Sequence, residues 1–471
     1  MVSIQSSYTV TPSEPTPDVR LFSLCEQIKL RTHAPSFYAY KPTNFDKINI
    51  HNLRDALSKA LSIYYPIAGR LCWTHGGRWE LHCNAKGALL IEASCKGKTL
   101  DDLGDFVPNG LVTQLIPNID YTAPLEETPI LAVQLTRFSC GGVTVGVAMC
   151  RGALDGTGGM RFINTWAKLA RGEPLDESDQ YPCHDRTELN SRKITTMGSG
   201  FPTHGQNGHS DHSDHDHSEY GAPPPWLGSL GTEDAKVAVE VMKLTGEQVK
   251  KLKMKATSTN VTSVDNGNGE MTKPFSSFES IAGHLWRSVS KARYQGNNSQ
   301  PTRLTTLVNC RNRLKPPLPP VYAGNAAFPT ATPTLTFGDL MENPVGFAAA
   351  KVKGAIAKVD DAFVRSALEY IDNVKDMNLV RYNFHYPAKS VHKGAWKGNP
   401  NLFVVSWMNF TYDHADFGWG VPYYFGPVYM DAEGKAFCLN KPNGDGTVHV
   451  AIALDSAHMP AFKKIFYDDI D

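Results

Sequence analysis

The sequence has no excess of either charge: 47 lysines and arginines meet 47 aspartates and glutamates, for a formal net charge of zero. Without a field of one sign, nothing in the composition recruits nucleic acid or an anionic membrane surface. Cysteine is sparse and unpatterned. The nine residues (25, 72, 83, 95, 140, 150, 183, 310 and 438) are odd in number and include no Cys-x-x-Cys pair. Free thiols in a reducing compartment fit this better than a disulfide framework or a zinc site. No segment approaches the roughly 18 uninterrupted apolar residues of a membrane span. Met1-Val-Ser-Ile-Gln-Ser-Ser-Tyr8 has neither a basic nor an apolar leader region, so the expectation is a cytoplasmic protein with no membrane partner. Gly-rich phosphate loops, a Ser-His-Asp order and internal repeats are also missing. What is present is ordinary enzyme material: 41% hydrophobic and 10% aromatic residues in 471, enough for two domains of about 200 residues each and an apolar pocket.

Local patterns supply the elements. Leu53, Leu57, Ala60, Leu61 and Tyr64 recur at helical spacing until Pro66 ends the pattern. Leu89-Leu-Ile-Glu92 and Leu131 to Phe138 read as strands, and Cys140-Gly-Gly142 joins the latter to Val143–Met149 as a hairpin. Phe162, Ile163, Trp166 and Leu169 then share one helical face. Beyond Glu173 the pattern dissolves into a linker containing His204, His209, His212, His215 and His217. These imidazoles lack a fixed scaffold, and no metal site is expected from them. Thr245-x-x-Gln248 and Ser276-x-x-Glu279 are capping boxes that open helices. Runs 303–308, 402–407 and 448–454 supply a second set of strands. The expected fold class is α+β, with domains at 1–180 and 231–471, each with a mixed sheet and flanking helices, joined by a crossover at 181–230.

Five ordered stretches resemble the plant BAHD acyltransferases. They are Thr32-His-Ala-Pro-Ser-Phe-Tyr38 with Tyr64-Tyr-Pro-Ile-Ala-Gly-Arg70, Arg151-x-x-x-Asp155-Gly156, Phe275 to Trp286, Arg311-x-Arg-Leu-x-Pro-Pro-Leu-Pro319, and an intact Asp416-Phe-Gly-Trp-Gly420. The nearest subgroup is similar to the hydroxycinnamoyl transferases. The resemblance implies two chloramphenicol acetyltransferase-like domains around a central channel, in a monomer that acts on small molecules there. It places Ser36 and Tyr38 on the acceptor side, and Trp407 as a donor to the developing oxyanion, with Val405 where the family has threonine. His33, beside the acceptor-side segment, is either a substrate-binding base or proton shuttle or a structural histidine. It gives Asp155 an ion pair with Arg311 and leaves Asp416, Gly418 and Gly420 to shape the fold. Lys250, Lys251, Lys253 and Lys255 either meet CoA phosphates or form a solvated helix face.

The departure from the family is Arg151, which stands where the resemblance implies a histidine general base. A guanidinium is already protonated and cannot accept a proton near neutral pH. Three readings remain open on the residues alone. The site is decayed, with Arg151 paired to Asp155 in a binding protein. Or acyl-CoA is still the co-substrate, with an amine acceptor such as a polyamine or with another base. Or the cation stabilises an enolate in conjugate-addition chemistry that needs no cofactor. The last is the main expectation: a divergent alkaloid-metabolism member that joins unsaturated-lactone monomers of the securinine type by a Rauhut–Currier reaction, with Arg151 and Trp407 as catalytic groups. Cys150, whose pKa the adjacent Arg151 would lower, is its candidate nucleophile; the alternative is a core cysteine, since neighbours on a strand face opposite ways.

Overall fold

The computed structural model describes residues 1–41, 49–108, 110–191, 217–228, 236–260, 274–384, 399–430, 432–441 and 444–470. Two six-stranded mixed sheets form the two lobes. The first runs in the order Ser3–Val10, Ala88–Cys95, Leu131–Phe138, Val143–Cys150, His33–Tyr40, Tyr424–Pro427. The second runs Ala327–Ala331, Leu304–Asn309, Leu402–Ser406, Lys435–Asn440, Val448–Asp455, Val237–Leu244. The α+β class with helices flanking each sheet is as expected.

Val143–Cys150 is apolar enough to sit at the centre of its sheet: all eight positions are buried, and both neighbours pair with it antiparallel. The chain leaves it through a turn and enters the helix Gly156–Ala170, which Asp155 caps by accepting the Gly158 N–H at 2.9 Å. Phe162, Ile163 and Trp166 face the core, and the Trp166 indole N–H donates to Leu53 O at 2.9 Å. That bond fixes this helix against Ile50–Ile63. Both capping boxes form: Thr245 and Gln248 exchange bonds of 3.0 and 3.1 Å, and Ser276 and Glu279 do the same at 2.7 and 3.2 Å.

Each half of the sequence lends a piece to the other. Tyr424–Pro427 leaves the second half to pair with His33–Tyr40, setting Pro427 opposite Ser36 and Phe425 opposite Tyr38. In return Leu24, Cys25 and Ile28 pack with Val308, Phe328, Val364 and Leu368 in one buried cluster. All nine cysteines are free. Among the described residues no helix is long and apolar enough to cross a membrane. His204, His209, His212 and His215 lie outside the described residues. His217 is packed inside, its ring nitrogens 2.9 Å from Glu219 Oε1 and 2.7 Å from Ser366 Oγ.

Candidate active site

Between the lobes lies a cavity of about 250 Å³, lined from the first sheet by Ser36, Tyr38, Val147 and Met149 and from the second by Leu307, Phe403, Val405 and Phe437. Arg151, Asp155 and Gly156 reach it from the turn ahead of the helix, and Trp407 and Phe410 from the end of Leu402–Ser406. Gly156 bears no side chain because the Phe410 ring occupies the place a Cβ would take. The aromatic wall is continuous: Tyr38 and Phe425 ring centres are 4.7 Å apart, Phe425 and Trp407 5.2 Å, Trp407 and Phe437 4.7 Å.

Arg151 is held on three sides. Its guanidinium donates to Thr32 Oγ1 at 3.1 Å and to the His33 carbonyl, while its own carbonyl accepts from Asn325 Nδ2 at 3.0 Å. Asp155 is engaged elsewhere. Arg311 grips both carboxylate oxygens at 2.6 and 3.0 Å, and the N–H groups of Gly158 and Ala326 donate to them at 2.9 Å each. Burial alone would raise the Asp155 pKa, but the charge and hydrogen bonds of Arg311 and those two amides hold it below its ordinary value. An Arg151–Asp155 pair in a decayed site is therefore corrected: the carboxylate already has a bidentate partner.

Two residues expected at the chemistry are not in the lining. The His33 Nε2 faces Pro129 O at 2.8 Å, a pure acceptor, so Nε2 carries the proton and Nδ1 accepts from the Tyr121 hydroxyl at 3.0 Å. Both nitrogens are occupied, and burial lowers the ring pKa to about 4. Cys150 points into the core of the first lobe, its Sγ donating to Arg31 O at 3.6 Å. Burial pushes the thiol up to about 12, outweighing the opposing pull of Arg151. Alternation along the strand sends adjacent side chains to opposite faces, so Cys150 turns away where Arg151 turns in.

Trp407 packs its ring on Phe425 and Phe437, and its backbone N–H donates to Cys438 O at 2.8 Å. Among the described residues nothing accepts from its indole N–H. Asp416–Gly420 lies outside the cavity: Asp416 Oδ1 accepts from the N–H groups of Gly418 and Gly420 at 2.7 and 2.9 Å. Phe417 and Trp419 pack in the first core against Tyr40 and Trp166. Of the four lysines on Gly246–Asn260, Lys255 donates to Asp469 O at 2.6 Å.

Sequence reasoning missed two cations in the lining, Lys29 and Lys435. Lys435 lies 5.2 Å from the centre of the Phe437 ring. Lys29 is only 4% exposed, and its Nζ donates to Ala327 O. Its sole signal was a lysine between Ile28 and Leu30 just ahead of a strand.

A family model described as the Transferase family matches residues 1–469. The chain belongs to that BAHD-type transferase family. This transferase is 40% identical to the hydroxycinnamoyl-CoA:piscidic acid hydroxycinnamoyltransferase of Actaea racemosa, over 100% of both chains. It is 38% identical to the shikimate O-hydroxycinnamoyltransferase of Nicotiana tabacum, over 99% of each. Among solved structures, vinorine synthase matches at 20% identity and a TM-score of 0.66, over 98% of this chain and 96% of that one. TRI101 of F. graminearum, solved with coenzyme A and T-2 mycotoxin, matches at 16% identity and a TM-score of 0.74, over 95% and 97%. The solved structures establish the two-lobed fold around a channel.

These findings correct the main expectation. The full-length relatives are hydroxycinnamoyl transferases, which overturns both Rauhut–Currier coupling as the reaction and C–C bond formation as favoured over acyl transfer. They also overturn the expectation that no acyl-CoA is involved, since hydroxycinnamoyl-CoA is named in the first relative and coenzyme A is bound in TRI101. The site agrees physically: a buried Cys150 thiol cannot add to an enone in the cavity, because neither its position nor its protonation allows it.

Proposed function

We propose that this transferase moves a hydroxycinnamoyl group from CoA to an acceptor that carries a carboxylate beside its hydroxyl or amine. The observation that carries the acyl half is the full-length 40% identity with a hydroxycinnamoyl-CoA transferase. An aromatic wall of Tyr38, Phe425, Trp407 and Phe437 suits a planar phenylpropenoyl group. The Trp407 indole N–H is the donor to the oxyanion that forms when the thioester carbonyl is attacked.

The acceptor half rests on charge. Arg151 and Lys435 line the cavity, and the carboxylate there, Asp155, is neutralised by Arg311. A cationic polyamine meets repulsion in such a site, whereas a carboxylate finds a planar guanidinium suited to bidentate binding. In this reading Arg151 takes the place of the family's histidine and orients the acceptor rather than its proton. Ser36 and Tyr38 border the acceptor, and Asp155, Arg311, Asp416, Gly418 and Gly420 hold the frame.

Purified protein incubated with a hydroxycinnamoyl-CoA and a panel of hydroxy acids, amino acids and polyamines tests both halves. Expected are released CoA thiol and a product heavier than the acidic acceptor by one hydroxycinnamoyl increment. Thioester left intact with every acceptor sinks the acyl half, and turnover of polyamines in preference to acids sinks the acceptor half.

A further inference from the structure

An acceptor hydroxyl or neutral amine must lose a proton as it attacks, yet the groups nearest the expected base position cannot take one. Arg151 is permanently protonated, and both His33 nitrogens are engaged at Tyr121 and Pro129. Lys29 differs. It lines the cavity, is almost fully buried, and spends one N–H on the Ala327 carbonyl. The carboxylates whose charges reach it, Glu26 and Asp155, are taken by Arg186 and Arg311 at 3.1 and 2.6 Å. Lys29 and Arg151 line the same cavity, and Ala327, which accepts from the amine, is two residues from Asn325, whose amide donates to the Arg151 carbonyl.

We propose that Lys29 is the proton acceptor of this site, an inference that rests on the acyl-transfer reading. As a neutral amine its lone pair takes the proton from the acceptor O–H or N–H while that atom bonds to the thioester carbonyl carbon. When the tetrahedral intermediate collapses, the C–S bond breaks and the Lys29 ammonium gives the same proton to the departing thiolate, leaving CoA thiol and a neutral lysine. Burial favours the required form, since it lowers the amine below its ordinary value of 10.5 despite the neighbouring acidic groups. Cys25, Asp155, Cys310 and Glu26 each favour the charged amine, but burial outweighs them, and the two carboxylates are paired to Arg311 and Arg186.

The test uses the full-length protein and three substitutions. Lys29→Met and Lys29→Arg should each lower kcat by about 100-fold, the usual worth of a positioned base, with KM for the acyl-CoA little changed. Lys29→Arg keeps charge and donors, so it controls for a fold that needs the cation. In wild type, kcat/KM should rise with pH along an acid limb that both variants lose. Lys29→Ala should regain turnover on addition of ethylamine, in proportion to the free-base concentration. Lys29→Arg with wild-type kcat and an intact acid limb overturns the assignment, as does Lys29→Ala indifferent to ethylamine. Wild-type protein that consumes no thioester overturns the acyl-transfer reading and this one together; wild-type turnover matched by the variants overturns this one alone.

Discussion

The helix Gly156–Ala170 has a turn at each end, and the two turns are built on opposite principles. At its start, Arg151–Gly156 delivers side chains into the cavity and anchors itself through a buried ion pair between lobes. Past its end, Arg171 donates to the Asp416 carbonyl, and Asp416–Gly420 closes on its own amides with no atom in the cavity. Chemistry in the first turn depends on which groups stand there. Geometry in the second depends on backbone angles: Gly418 and Gly420 have φ of 94° and 96°, a region that side-chain-bearing residues rarely adopt. The two turns can therefore change independently: one tolerates any backbone-compatible residue that suits its chemistry, the other requires its glycines.

The strongest way to break this contrast is Asp155→Ala, which leaves Arg311 buried without its carboxylate. Urea unfolding should show a loss of about 3–5 kcal/mol. The pH dependence carries the same signature. Because the folded Asp155 pKa lies below its ordinary value of 3.8, its contribution is fully present above that value and disappears as pH falls through the folded one. The variant should lack that component of acid destabilisation.

Next in size is Trp407→Phe, which keeps the aromatic wall but removes the N–H. Steady-state kinetics should show kcat lower by about 100-fold, the scale of one lost oxyanion donor, at nearly unchanged stability. Arg151→Gln should act on the acceptor alone, raising its KM by about 10–100-fold as a charged hydrogen bond is lost, with KM for acyl-CoA left near wild type. The smallest effect belongs to the second turn. A Cβ at Gly418 has room, its nearest neighbour being Arg171 Cγ at 3.7 Å, so Gly418→Ala should cost only the backbone strain, about 1–2 kcal/mol. It should lower Tm and leave kcat alone. A large kcat effect there would show that the two turns are coupled through the helix.

What could be read from sequence follows the range of the forces involved. The capping boxes at Ser276 and Thr245, and the hairpin around Cys140-Gly-Gly142, depend on residues a few positions apart. The four-residue strand Tyr424–Pro427 does not. Its partner lies nearly 400 positions away, and nothing local sends it to the first sheet. Ser36, Tyr38 and Trp407 lie in the lining, where family resemblance located them. Cys150 and His33 stand next to site residues in the chain, and each had a structural reading beside the chemical one; pleat direction and the Tyr121 and Pro129 partners turn them away from the cavity. Lys29 was invisible for the converse reason: only tertiary packing makes a lysine dry. The reaction was misjudged because it was argued from Arg151 alone, whereas the full-length relatives are hydroxycinnamoyl transferases.

The exchanged strand bears on how molecules come and go. Since Tyr424–Pro427 is stitched to His33–Tyr40 along the very wall that Ser36 and Pro427 share, swinging the lobes apart would rip a backbone ladder. Any route that needs the lobes to part therefore costs those backbone hydrogen bonds, and a route that leaves them in place does not.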